Sequence, residues 1–69
     1  MPAAARGHVT SFDDRRGYGV ITADDGRALF FHCTAIADGT RSIELGASVA
    51  FDVTPGHLGR WEAGAIRSV

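Results

Sequence analysis

The segment RGYGVI at positions 16–21 has the alternation of a β-strand that is buried on one side only. Successive side chains of a strand face opposite sides of the sheet, so Tyr18 faces one way while Gly19 and Ile21 face the other. Ile21 suits an apolar core, which leaves Tyr18 on the outer face beside the cation of Arg16. The segment therefore predicts a sheet with an apolar inner face and an aromatic outer one.

A second ring-bearing segment, LFFH at positions 29–32, follows after a short polar stretch. Alternation places Leu29 and Phe31 on the core side. It places Phe30 and His32 on the opposite side, which we expect to be the face that carries Tyr18.

The rest of the chain also has the pattern of short strands. We predict strands at 6–12, 17–23, 28–32, 49–53 and 61–68, with a hairpin turn at 24–26 and one helical turn at 34–36. No long helical pattern is present. Because closure removes exposed sheet edges, the pattern favours a small all-β fold, a closed or nearly closed five-stranded antiparallel β-barrel. We expect residues 1–5 to be a flexible leader and residues 6–69 to be one domain.

Length and composition argue against an enzyme. A chain of 69 residues buries only roughly 60% of its unfolded surface, which leaves no room for a deep catalytic cleft. His32 and Cys33 are strand neighbours that point to opposite faces, and Cys33 is the only cysteine, so we expect neither a catalytic Cys/His pair nor a zinc site. Phosphate-binding and dinucleotide fingerprints are missing. No catalytic residue, metal or cofactor is predicted, and without an apolar signal or membrane segment we expect a cytoplasmic protein.

The charge balance limits how the chain can bind a polyanion. Net charge is −1, and all seven basic residues are arginine. Binding by bulk charge is therefore not expected, although arginine can stack on bases as well as pair with phosphate. Arg16 is predicted to bind because it opens the aromatic segment. Arg15, Arg27 and Arg60 could also flank the face and meet phosphates, but for these three we favour solvated turn charges.

Basic residue, glycine, aromatic, glycine is also the opening of the ribonucleoprotein motif, in which small glycines are expected to leave room for nucleic acid on the sheet. Taken together, the motifs resemble those of the bacterial cold-shock domain from about residue 6 to residue 69. The matching positions are Gly7-x-Val9-x-x-Phe12, Arg16-Gly17-Tyr18-Gly19-Val20-Ile21, Asp24-Asp25-Gly26, Phe30-x-His32 and Ala35-Ile36. The resemblance implies a barrel of the oligonucleotide-binding (OB-fold) type whose middle strands bind single-stranded RNA or DNA. It also implies an RNA-chaperone or gene-regulatory role.

The predicted binding residues are the rings of Tyr18, Phe30 and His32, on which bases would stack. Phe12 also matches an aromatic of the family's binding face, and a core position for it is equally compatible with the sequence. Trp61 stands where the family has a small residue. It is either a further stacking platform or a contact for a protein partner.

Departures from the family pattern predict weak binding. Thr10-Ser11 stands where the family has Lys-Trp, and Val20 and Cys33 stand where it has aromatic residues. The lost rings and the acidic balance leave a second hypothesis, a degenerate barrel used for protein interaction. Salt distinguishes the two, because binding of strands through arginine weakens as salt rises. The sequence does not choose between RNA and DNA.

Overall fold

The computed structural model describes residues 5–37, 43–56 and 60–69. They contain five strands: β1 (Ala5–Asp13), β2 (Tyr18–Ala23), β3 (Ala28–His32), β4 (Ser48–Pro55) and β5 (Trp61–Ser68), with one turn of 3₁₀ helix at Cys33–Ala35. The five predicted strands and the single helical turn are confirmed, with ends that shift by one or two residues. Of the predicted leader, residues 1–4 lie outside the described ranges and Ala5 opens β1.

The strands close into a barrel in the order β1-β2-β3-β5-β4, and β4 pairs back with β1. Four of the five pairings are antiparallel, as predicted, and the β3–β5 pairing is parallel. A closed ring with an odd number of strands cannot alternate direction throughout, so one parallel pairing is unavoidable. It falls where β5 meets β3, and it pairs Phe30 with Glu62.

The barrel interior is a single apolar core to which every strand contributes. Seven large side chains in it are at most 1% exposed: Val9, Ile21, Leu29, Phe31, Val49, Phe51 and Ile66. Of these, Ile21, Leu29 and Phe31 are on the side that alternation predicts. Inward side chains therefore fill the barrel, and binding has to use its outside.

Gly19 is required by this core and not by a ligand. A Cβ at this position would lie 2.3 Å from the carbonyl oxygen of Ser11 and 2.8 Å from the Phe31 ring. Gly19 is buried on the inner face, where Phe31 and β1 fill the space that its missing side chain leaves. The expectation that Gly19 makes room for nucleic acid is therefore wrong.

Two strands depart from regular register. In β1 the pairing with β2 shifts between Val9 and Ser11, which inserts one extra residue at a bulge. In β5 the pairing with β4 shifts in the same way, and Ala65 there has a φ of 49°. The β1 bulge matters for the site, because an extra residue reverses which side chains face the core beyond it.

Candidate nucleic-acid interface

Tyr18, Phe30 and His32 lie on the outer face of β2 and β3, and we call them the aromatic face. Register places Tyr18 directly across from His32, and Val20 across from Phe30. Directly opposed residues on one side of a sheet have adjacent side chains. Phe30 is 38% exposed, whereas its chain neighbours Leu29 and Phe31 are buried. The structure thus brings together the three rings that the sequence predicted to share a face.

The two larger rings of the aromatic face are in direct contact. The centroids of Tyr18 and Phe30 are 5.8 Å apart, and the ring planes stand at 88°. Edge-to-face pairs of this kind are favoured over face-to-face pairs, because the positive edge of one ring meets the negative face of the other. The pair therefore offers two differently oriented flat surfaces to a ligand.

Arg16 is held beside Tyr18 by contacts at both ends. Its Nη1 donates a hydrogen bond of 3.2 Å to the Tyr18 hydroxyl, and its Nε lies 3.8 Å from Oδ2 of Asp13. Asp13 Oδ1 also accepts hydrogen bonds from the backbone N–H groups of Arg15 and Arg16, which fixes the turn before β2. The hydrogen bond to Tyr18, with a smaller contribution from Asp13, raises the pKa of Arg16. A cation is thus placed beside the aromatic face, as the sequence predicted.

Arg60 lies over the ring of Phe30. Its guanidinium carbon is 5.7 Å from the ring centroid, within the range of a cation–π contact. Its backbone carbonyl accepts a 2.6 Å hydrogen bond from the N–H of Gly56, which ties this position to the β4–β5 pairing. The prediction of a solvated turn charge agrees with the exposure of Arg60 and leaves out this contact with Phe30. For Arg27 it is confirmed, because this exposed guanidinium pairs with Asp25 at 2.8 Å in the β2–β3 turn.

Phe12 is not part of the aromatic face. It pairs across the sheet with the inward-facing Gly19, and its ring is parallel to that of buried Phe31, at a centroid distance of 5.8 Å and an angle of 2°. Phe12 is partly buried and packs against the core. The structure packs Phe12 against the core, and a part for it in binding stays a prediction. The β1 bulge is the cause of this packing, since unbroken alternation from Val9 would turn Phe12 outward.

Trp61 is 54% exposed at the start of β5, where it pairs with Pro55. Among the described residues, the aromatic contacts of the outer face join Tyr18 and Phe30 and do not include Trp61. It lies between Arg60, which covers Phe30, and Glu62, which pairs with Phe30. The role of Trp61, as a further stacking platform or as a contact for a protein partner, stays a prediction.

The positions that depart from the family pattern surround the aromatic face with small side chains. Thr10 donates a 3.2 Å hydrogen bond to the Val20 carbonyl and lies 3.2 Å from the Thr22 hydroxyl. Ser11 is exposed and pairs with Val20. Thr10, Ser11 and Val20 thus place no ring on the outer surface of β1 and β2 at positions where the family has Lys-Trp and an aromatic residue.

The contact between Arg60 and Phe30 is the feature of this site that the sequence analysis did not predict. No local pattern indicates it, because it depends on the parallel β3–β5 pairing between segments distant in the chain. In the parts of the chain that the structure describes, no group of three His, Cys, Asp or Glu side chains could hold a metal ion. No helix within those same ranges is long and apolar enough to cross a membrane.

A closed five-stranded barrel with rings and arginines on its outer β2–β3 surface is the architecture of a small oligonucleotide-binding domain. The family described as "'Cold-shock' DNA-binding domain" matches residues 5–69, and the chain belongs to this family. The predicted family is thereby confirmed. Membership supports nucleic-acid binding in general.

Relatives come from bacteria and plants. The chain is 36% identical over 63 residues to cold shock protein CspB of Geobacillus stearothermophilus, covering 90% of this chain and 96% of that protein. It is 40% identical over 55 residues to the cold shock-like protein of Thermotoga maritima, covering 78% and 83%. It is 44% identical over 61 residues to glycine-rich protein 2 of Nicotiana sylvestris, covering 86% of this chain and 28% of the plant protein.

A solved structure, Drosophila Unr CSD456, has a similar fold. It superposes with a TM-score of 0.80 at 27% identity, and the match covers 96% of this chain and 26% of that one. The similarity extends over nearly the whole barrel, which confirms the predicted fold class.

Proposed function

We propose that this protein binds single-stranded nucleic acid by stacking bases on the aromatic face formed by Tyr18, Phe30 and His32. The observation that carries the proposal is the Tyr18–Phe30 pair, two rings in contact on the outer face of a barrel whose interior is already filled. Stacking requires bases that are free of a partner strand. Only single strands, loops and ends present such bases.

The balance of charge and aromatic surface sets the expected strength of binding to a single strand. Each stacked base contributes about 1–3 kcal/mol, so a small number of rings gives weak to moderate binding. Phosphate attraction adds little, because net charge is −1. Arg16 and Arg60 are the exceptions, since their contacts with Tyr18 and Phe30 hold both cations at the aromatic face. Affinity is thus expected to come mainly from stacking.

An RNA-chaperone or gene-regulatory role follows from such binding. A protein that binds only unpaired strands shifts the folding equilibrium of an RNA towards open forms by mass action. The shift can be no larger than the difference between the protein's affinities for the open and for the folded RNA. This role needs neither nucleotide hydrolysis nor a cofactor, so the protein acts as a binding module.

The experiment that tests the proposal compares single and double strands of the same sequence. Fluorescence anisotropy of a labelled oligonucleotide is measured against protein concentration, first at low and then at moderate salt. We expect saturable binding to the single strand, little binding to the duplex, and a shallow loss of affinity with salt. Absence of binding to the single strand at low salt, by protein shown to be folded, would contradict the proposal.

A further inference from the structure

Arg60 occupies the surface of Phe30 that a stacked base would use. Its guanidinium carbon is 5.7 Å from the ring centroid, while Phe30 is still 38% exposed. A cation–π contact at an exposed site is weak, so a ligand can displace it. A base can stack on this side of the ring only if the guanidinium moves.

The backbone keeps Arg60 close to this ring. Its carbonyl is hydrogen-bonded to the N–H of Gly56, and the next residue, Trp61, pairs with Pro55 on β4. Two residues further along, Glu62 pairs with Phe30 itself. The carbonyl of Arg60 is therefore tied to the end of β4, and β5 is paired with β3 two residues further on, so rotation of the side chain is the simplest way for the guanidinium to move.

The guanidinium of Arg60 is too close to Phe30 for a base to lie between them, so it has to move away first. Two successive stacking contacts of about 3.5 Å each need about 7 Å between the ring and the guanidinium plane. The guanidinium carbon is at most 5.7 Å above the ring plane, so it has to retreat by more than about 1 Å before a base can lie between the two. A long and exposed side chain can do this by small rotations, without a change in the backbone.

We propose that Arg60 is a clamp, which retreats from Phe30 and closes on the far side of the base that stacks on this ring. The base is then held between the Phe30 ring and the planar guanidinium. This inference rests on the proposed function and adds the residue that covers the base. A guanidinium suits the task because it is flat, weakly hydrated and stacks on π-systems, whereas the ammonium of lysine is a compact point charge.

The test compares two substitutions at this position, Arg60→Ala and Arg60→Lys. The probe is a labelled short oligothymidylate, with binding followed by anisotropy and folding by circular dichroism. We expect Arg60→Ala to weaken binding roughly 5- to 30-fold, because it removes the guanidinium that covers the base. We expect Arg60→Lys to lose nearly as much, since it keeps the charge and loses the plane. An oligomer with abasic residues should bind wild type and Arg60→Ala alike.

Arg27 supplies the matched control. It is an exposed arginine in the β2–β3 turn, paired with Asp25, so Arg27→Ala and Arg27→Lys make the same changes in charge away from Phe30. Both should bind within about twofold of wild type, since an isolated surface charge contributes little.

Three outcomes are distinguishable. Wild-type affinity in Arg60→Lys would mean that the residue meets a phosphate. This result would overturn the clamp and leave the proposed function intact. Equal or tighter binding by Arg60→Ala would mean that the arginine merely covers the ring, and it would also overturn the clamp. Absence of binding by folded wild-type protein would contradict both the proposed function and the clamp that rests on it.

Discussion

Phe30 and Phe31 are adjacent in the chain, but their rings lie in opposite environments, one outside the barrel and one inside it. Phe31 is 1% exposed and stacks on Phe12 inside the barrel, whereas Phe30 is 38% exposed and meets Tyr18 and Arg60 outside it. The alternation of β3 alone creates this difference. One residue thus stabilises the fold while its neighbour remains available to a ligand.

Replacing each of these two rings separates binding from stability. Phe30→Ala should weaken single-strand binding by about 1–3 kcal/mol and leave the barrel folded, because it removes one stacking surface. Phe31→Ala should lower the free energy of unfolding by about 3–5 kcal/mol, because it leaves a cavity in the core. Anisotropy and urea denaturation measure the two effects. An unfolded Phe30→Ala protein would show that this ring belongs to the core.

At the scale of elements, the β5 bulge contains a residue in an unfavourable conformation. Ala65 has a φ of 49°, in the left-handed region that favours glycine, and the register with β4 shifts beside it. Arg67 Nη1 donates a 2.6 Å hydrogen bond to the Ala65 carbonyl, which helps to hold the bulge. The bulge keeps Ala63 and Ile66, three residues apart, both facing the core.

Glycine at this bulge should stabilise the protein. A side chain in the left-handed region costs about 1–2 kcal/mol, and glycine removes this cost. The greater conformational freedom of glycine in the unfolded chain offsets part of the gain, so Ala65→Gly should raise the free energy of unfolding by about 0.5–1 kcal/mol. Ala63→Gly is the control, because Ala63 is buried in the same strand without a positive φ and should lose about 0.5–1 kcal/mol. Urea denaturation measures both. A loss of stability in Ala65→Gly would contradict the inference that the backbone of Ala65 is strained.

The β2–β3 turn should contribute to stability in a pH-dependent way. The backbone N–H of Arg27 donates to Asp25, and this hydrogen bond, followed by the side-chain contact with Arg27, lowers the pKa of Asp25. A carboxyl group whose pKa is lower in the folded state stabilises the fold above its unfolded pKa of about 4. That contribution is lost as pH falls through the folded pKa.

The variant Asp25→Asn tests this dependence. Wild type should be the more stable protein at neutral pH, and the difference in thermal midpoint should shrink as pH falls below about 4. Asp52→Asn, at an exposed strand position, is the control. A difference between wild type and Asp25→Asn that stays constant with pH would mean that the charge of Asp25 is not involved.

At the scale of the whole molecule, local alternation predicts which side chains of β2 and β3 face the core. It places Ile21, Leu29 and Phe31 inside and Phe30 outside, and the barrel follows because these strands have no other way to cover their edges. It does not predict the face that Phe12 takes, because a bulge in β1 reverses the alternation. It also fails at Arg60, which reaches Phe30 only once β3 and β5 pair.

The number of rings on the barrel surface should limit the affinity of the whole protein. Val20 lies on the outer face directly across from Phe30, at a position where the family pattern has an aromatic residue. Val20→Phe should therefore tighten single-strand binding by about 1–3 kcal/mol. Ser48→Phe adds the same ring to an exposed position of β4 and should change affinity little. Equal gains in both variants would indicate non-specific apolar attraction.

The central claim is that bases lie on the Tyr18–Phe30 pair, and magnetic resonance of the complex with a short single strand tests it most directly. We predict nuclear Overhauser contacts between base protons and the ring protons of Tyr18 and Phe30, together with upfield shifts of those base protons. Contacts confined to Trp61, or shifts restricted to arginine side chains without any base-to-ring contact, would contradict the claim.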